Sequence, residues 1–156
     1  MKNIIKKTVL IGLIFLLLMQ LYRPARDLSF EQDVTVNFTK VYHVPKNVEA
    51  ILRSSCYDCH SNNTNYPWYS YIQPARFFME HHIKEAKENL NFDEWGTYSK
   101  RKQGTKLDRI VKQIKSGEMP LASYTLIHKK ARLITAQKKE IMDWMNKIKD
   151  SISSQN

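Results

Sequence analysis

"SSCYDCHSNN", residues 54–63, holds the only two cysteines of the 156-residue chain, Cys56 and Cys59, and His60 follows directly. On a helix, positions i and i+3 are surface neighbours, so the two thiols point the same way. Cys-x-x-Cys-His is the attachment signature for a c-type haem, in which two thiols bond the vinyl groups along one edge of the porphyrin and the histidine is carried to the iron. The same spacing also occurs in zinc sites and redox dithiols, so the rest of the chain has to weigh the three.

The chain disfavours the rivals. A structural zinc site takes four ligands, and here one cysteine pair stands alone with the adjacent pair His81-His82, which lacks the usual spacing. A thioredoxin-like dithiol sits in a βαβ context, which the sequence does not offer. A disulfide closing so short a loop adds little stability through loop entropy. Covalent haem c, one per chain, is therefore the expectation.

The N-terminus reads "MKNIIKKTVLIGLIFLLLMQLYRPARD". Lys2, Lys6 and Lys7 precede an apolar run from Thr8 to Tyr22 that only Gln20 interrupts. Counted from Ile4 with the lysines snorkelling, the run is 19 residues, near the roughly 20 a bilayer needs. No small-x-small cleavage site ends it. The pattern predicts an uncleaved signal anchor over residues 1–22 with its N-terminus in the cytoplasm. The rest of the chain then lies outside the cytoplasmic membrane, held to it by the anchor. Without residues 1–22 the formal charge falls from +10 to +7, because three lysines go. Outside the cytoplasm such a basic domain can face anionic lipid or an acidic redox partner protein rather than nucleic acid.

Residues 23–44 read as a linker, with "FEQDVTVNFTKVYHV" as a short strand or extended tether. From Pro45 to about residue 150 the pattern is helical, and 151–156 form a tail. Val48, Ile51 and Leu52 share one face of a helix that leads into Cys56. Pro74 opens a helix to about Leu90. Thr105 is the expected cap of a third, with Leu107, Ile110, Val111 and Ile114 on one face and Gly117 as its end. Thr135 is the expected cap of the last, carrying Ile141, Trp144, Met145 and Ile148. The fold class is all-α: about four helices around one haem, preceded by the anchor helix.

For the iron's second axial position Met119 stands out. It lies in "SGEMPL", in a loop past a helix end rather than on an apolar stripe, with Pro120 after it. Met79, Met142 and Met145 read as core. His82 is the alternative, as a distal ligand or a neighbour of one. His43 and His128 read as surface residues. Trp68, Tyr69 and Tyr71 are candidates for a shell around the haem edges. The other ring nitrogen of His60 needs a fixed acceptor, and a carbonyl near Pro67 or Pro74 can supply it.

The order of parts resembles a class I cytochrome c: a helix into Cys-x-x-Cys-His, a middle section, a helix ending in Gly-x-Met-Pro and a last helix with an aromatic residue. More closely, "CYDCHSNNTNYPWYSYIQP", "HHIKEAKENLNFDEW" and "GEMPLASYTLIHKKARL" resemble the bacterial haem-binding domain family. That resemblance implies one c-type haem on Cys56, Cys59 and His60, with Met119 distal, in an anchored protein facing the periplasm. The stretch from Ser61 to Trp95 departs from a minimal cytochrome in its aromatics and histidines, which keeps His82 in play. The expected function is single-electron transfer without enzymatic turnover. The alternative is a haem sensor or peroxidase-like module with a labile distal ligand. No Ser/His/Asp arrangement, phosphate loop or paired-carboxylate motif points to other catalysis.

Overall fold

A computed structural model describes residues 1–28 and 36–154. Among these the architecture is helical: α1 (Lys2–Met19), α2 (Phe38–Tyr42), α3 (Lys46–Ser55), α4 (Tyr57–His60), α5 (Ala75–Asn89), α6 (Lys100–Ser116), α7 (Ala122–Ile127) and α8 (Thr135–Ser153). The four longer helices anticipated after residue 45 are α3, α5, α6 and α8, and short elements fill the loops between them. The only β pairing described is an isolated antiparallel bridge between Leu28 and Asn63.

The core forms where amphipathic faces converge. Val48, Ile51 and Leu52 of α3, Leu107, Ile110 and Ile114 of α6, and Ile141, Met145, Ile148 and Ile152 of α8 are buried in one cluster. Their i, i+3, i+4 spacing is what lets each helix turn one apolar face inward. α6 begins earlier than the expected Thr105 cap. Ser99 takes the capping role, its Oγ accepting from the Lys102 N–H at 3.3 Å, and Gly104 lies inside the helix. Gly117 ends α6 in the left-handed conformation at φ 80°, as a C-terminal glycine does. α8 starts at Thr135, but Ile134 is the boundary residue and the Gln137 side chain accepts its N–H at 3.1 Å.

Residues 23–44 are not simply a linker. Residues 29–35, on which part of the expected strand falls, lie outside the described residues. Past them, α2 is capped by Asn37, whose Oδ1 accepts from the Thr39 N–H at 2.8 Å. Phe38 is fully buried and sits edge-on to Trp95, Tyr42 and Trp144 with ring centres 4.6, 5.4 and 5.6 Å away. The Gly96 N–H donates to the Val36 carbonyl at 2.8 Å. A Cβ at Gly96 would lie 2.9 Å from the Val36 Cβ, so this close approach needs glycine. The strand-like alternation gives way at Phe38–Tyr42 to a short helix that seats the Phe38 ring among Trp95, Tyr42 and Trp144.

The helix expected as an anchor over residues 1–22 ends at Met19, before its apolar run does, and is not supported as a membrane span. α1 has 18 residues, includes Lys2, Lys6 and Lys7, and buries none of its side chains. No helix among the described residues is long and apolar enough to cross a membrane. α1 stops where Gln20 turns its side chain back, Nε2 donating to the Leu16 carbonyl at 2.9 Å and Oε1 accepting from the Gln73 N–H at 2.9 Å.

Removing the Phe38 ring tests whether α2 belongs to the folded domain. Phe38→Ala should lower the stability of the chain by about 3–5 kcal/mol, read by urea or thermal denaturation, as for other large buried aromatics. A loss too small to resolve would return residues 36–44 to the status of a tether.

Candidate functional site

α3 breaks at Cys56, and the backbone re-forms a single turn, with the N–H groups of Cys59 and His60 both donating to the Cys56 carbonyl at 3.2 and 3.0 Å. This turn is α4, and it sets Cys56, Cys59 and His60 against one cavity. Tyr57 points the other way, into the core, and stacks on Phe92 with centroids 5.0 Å apart and planes 4° apart. The loop that follows is tied down. The Asn62 N–H donates to Asp93 Oδ2 at 2.7 Å, Asn91 Nδ2 donates to Asn62 Oδ1 at 2.7 Å, and Thr64 Oγ1 donates to the Asp58 carbonyl at 2.7 Å.

The His60 ring is held by the C-terminal end of α5. Its Nδ1 lies 2.9 Å from the Leu90 carbonyl and 3.1 Å from the Ala86 carbonyl. A carbonyl only accepts, so Nδ1 carries the proton and Nε2 keeps its lone pair. The acceptors are not near Pro67 or Pro74, as the sequence suggested. The Leu90 carbonyl lies just past the helix end, and the Ala86 carbonyl shares its second lone pair with the ring, the first being taken by the Leu90 N–H at 2.8 Å. Burial lowers the His60 pKa, against the raising effect of the two carbonyls, with nearby Lys106 lowering it further. The imidazole is therefore neutral at physiological pH, the form in which it ligates a metal.

The cavity has a volume of about 450 Å³ and is lined by Cys56, Cys59, His60, His82, Ala86, Leu90, Ile110, Met119, Pro120, Leu121 and Tyr124, with Lys106, Arg109 and Gln113 from α6. That size falls within the roughly 300–1,000 Å³ usual for cofactor pockets. Met119, half-buried, is held just past α6, its N–H donating to the Gln113 carbonyl at 3.2 Å. The expected pair, His60 and Met119, thus comes to one cavity with both cysteines. His82 also lines it, half-exposed, with Nδ1 4.0 Å from Glu85.

The aromatic shell falls elsewhere. Trp68 and Tyr69 line a second, largely apolar cavity of about 680 Å³ that shares Cys59, His82, Leu121 and Tyr124 with the first. Tyr71 lines neither cavity and lies under Arg26, whose guanidinium carbon is 3.9 Å from the ring centre. His128 is more than a surface residue. Its Nε2 is 2.6 Å from the Tyr69 hydroxyl, and its ring stacks on Tyr124 at 4.3 Å. Tyr124 in turn donates to Asp58 Oδ2. Met145 is core, as expected, whereas Met79 lines the second cavity.

Lys106 and Arg109 are functional candidates that the sequence reading missed. Lys106 is buried, with its Nζ donating to the Asn89 carbonyl and 4.5 Å from the Tyr98 ring centre, while Arg109 is exposed. Positions 106, 109 and 113 fall on one side of α6, and that i, i+3, i+7 series was the available signal. Two cations beside an apolar cavity suit a ligand that is flat and apolar with acidic groups at one edge.

The donor set fits haem on the chain's own chemistry: one imidazole with a fixed free Nε2, two thiols not engaged in a disulfide, a thioether, and cations for carboxylates. Among the described residues no group of three or more His, Cys, Asp or Glu can hold a bare metal ion, which leaves the zinc reading without a ligand set. Fold and site together define a helical haem protein. The chain belongs to the haem-binding domain family, whose model matches residues 14–147. No curated protein and no solved structure matches it.

Burial pushes the Cys56 thiol up to about 12 and Cys59 to about 11, with Cys59 adding to the first shift and Asp58 to the second. Against an ordinary cysteine, these rises cut the thiolate fraction at pH 8 by roughly 100-fold at Cys59 and roughly 1,000-fold at Cys56. Iodoacetamide should therefore alkylate the haem-free folded chain far more slowly than the urea-denatured chain. Equal rates would show that these thiols are not enclosed by the cavity.

Proposed function

We propose that this haem protein is a membrane-attached c-type cytochrome that carries one electron at a time on the periplasmic side of the cytoplasmic membrane and has no enzymatic turnover of its own. The observation that carries the reading is the convergence of Cys56, Cys59, His60 and Met119 on one cavity, with the outer nitrogen of His60 already taken by two carbonyls. Cys56 and Cys59 would hold the haem through thioethers, each S–H adding across one vinyl C=C with no oxidant needed. His60 Nε2 and Met119 Sδ would hold the iron, and Lys106 and Arg109 the propionates. When bound, haem supplies a ferric–ferrous couple, whose potential His/Met ligation raises. The apolar lining from Ala86, Leu90, Ile110 and Leu121 disfavours the extra charge of the ferric form and acts in the same direction.

α1 supplies the attachment. With every apolar side chain from Val9 to Leu18 at least 45% exposed, it is covered by no part of the domain. Lys2, Lys6 and Lys7 snorkel to the headgroups while the apolar remainder of α1 lies in lipid. The basic surface steers an acidic redox partner to the domain.

His82 supports a second reading, a sensor or peroxidase-like module, because it lines the same cavity with Glu85 as its ion-pair partner at 4.0 Å. The full chain should be made in a host with a cytochrome c maturation system and its denatured mass recorded. A polypeptide carrying one haem that survives denaturation supports the cytochrome, and a bare polypeptide mass rejects it. Met119→Ala should then change the haem spectrum and admit carbon monoxide rapidly to the reduced protein. If the unaltered protein already binds carbon monoxide fast and completely, the distal position is open and the second reading replaces the first.

A further inference from the structure

The haem domain carries an exposed apolar patch that neither the core nor the cavity explains. Trp68, Tyr71, Ile72, Phe77 and Phe78 are 75, 61, 48, 47 and 58% exposed. They form one surface. Phe77 and Phe78 touch edge to face with centroids 5.7 Å apart, and Trp68 and Phe78 meet on the 680 Å³ cavity. Patches of this kind on a single chain mark an interaction surface.

The patch is continuous with the end of α1. Gln73, buried beneath it, donates its Nε2 to the Tyr22 carbonyl at 2.8 Å and exchanges bonds with the Gln20 side chain. Tyr22 and Phe77 have ring centres 6.5 Å apart, and Arg76 donates to the Pro24 carbonyl. The chain leaving α1 is therefore fastened along the patch over residues 20–24, with no slack between them. Whatever apolar medium covers the last turn of α1 covers the patch too.

We propose that this face rests on the lipid surface, with Trp68, Tyr71, Phe77 and Phe78 at headgroup depth. Tryptophan and tyrosine favour that depth because their rings have an apolar body and a polar tip. Arg23 is exposed beside the patch and Arg26 lies over Tyr71, so cations flank the aromatics where anionic headgroups sit. The domain is then laid against the bilayer in one orientation rather than held on a free tether. This inference rests on the reading that α1 lies in lipid.

The test uses the full chain in vesicles of phosphatidylcholine and phosphatidylglycerol doped with a phospholipid carrying a diazirine near its headgroup. After photolysis, peptide mass spectrometry locates the lipid adducts. Adducts should appear on α1 and, several-fold above those on exposed Ile134, on residues 68–78. Phe77→Ser with Phe78→Ser, both on the surface, should cut the adducts on 68–72 several-fold without changing those on α1 or the helical circular dichroism. Adducts confined to α1 overturn the docked face but keep the attachment. A chain that fails to float with the vesicles overturns both. Dityrosine cross-links between copies through Tyr71 would assign the patch to a second copy of the chain and overturn the lipid reading.

Discussion

The site depends on the hydrogen bond between the His60 ring and the end of α5. The Leu90 carbonyl, one residue past the end of α5 at Asn89, and the Ala86 carbonyl, which also accepts the Leu90 N–H at 2.8 Å, both face the His60 Nδ1. That contact settles three things together. It fixes the ring plane, it places the proton on Nδ1, and it leaves Nε2 as a lone pair aimed away from α5. A histidine at the end of a single helical turn would otherwise rotate freely. The rest of the surroundings reinforce the position: Tyr57 is anchored on Phe92, and Asn62 is bonded to Asp93 and Asn91.

The cation beside this bond is part of the same design. Lys106 donates to the Asn89 carbonyl, next to the acceptors of His60. It therefore satisfies another orphan carbonyl of α5 and brings positive charge to the cavity. Its own pKa is lowered by burial first and then by Lys102 and Arg109. Two cations so close repel each other, and an anionic group received between them relieves that cost. An acidic edge on the ligand therefore answers a feature of the protein that folding alone does not explain.

Much of this was legible in the sequence because it is local. The Cys-x-x-Cys-His spacing, the i, i+3, i+4 stripes of α3, α6 and α8, and the glycine closing α6 are all short-range patterns that helix geometry reads directly. Met119 was found because a methionine in a turn between a glycine and a proline has no packing stripe to serve. What was missed is long-range. Phe38 looks like one member of an alternating segment until Phe92, Trp95 and Trp144 arrive from elsewhere in the chain to surround it. Trp68 and Tyr71 look like haem partners because they follow the motif closely. Yet the chain between them and His60 turns outward and leaves them on the surface. Arg109 went unremarked in the sequence, and only the cavity lined from both α5 and α6 gives it something to face.

The central claim is that His60 is presented to the cavity in one fixed tautomer before any cofactor arrives. Nitrogen-15 NMR of the imidazole in the haem-free full chain at neutral pH reads this directly. The account predicts a single species, with Nδ1 protonated and shielded from exchange and Nε2 with the shift of an unprotonated nitrogen. An averaged pair of tautomers, or a proton on Nε2, would mean that the α5 carbonyls do not hold the ring. The site would then lack the preformed ligand on which the rest of the reading is built.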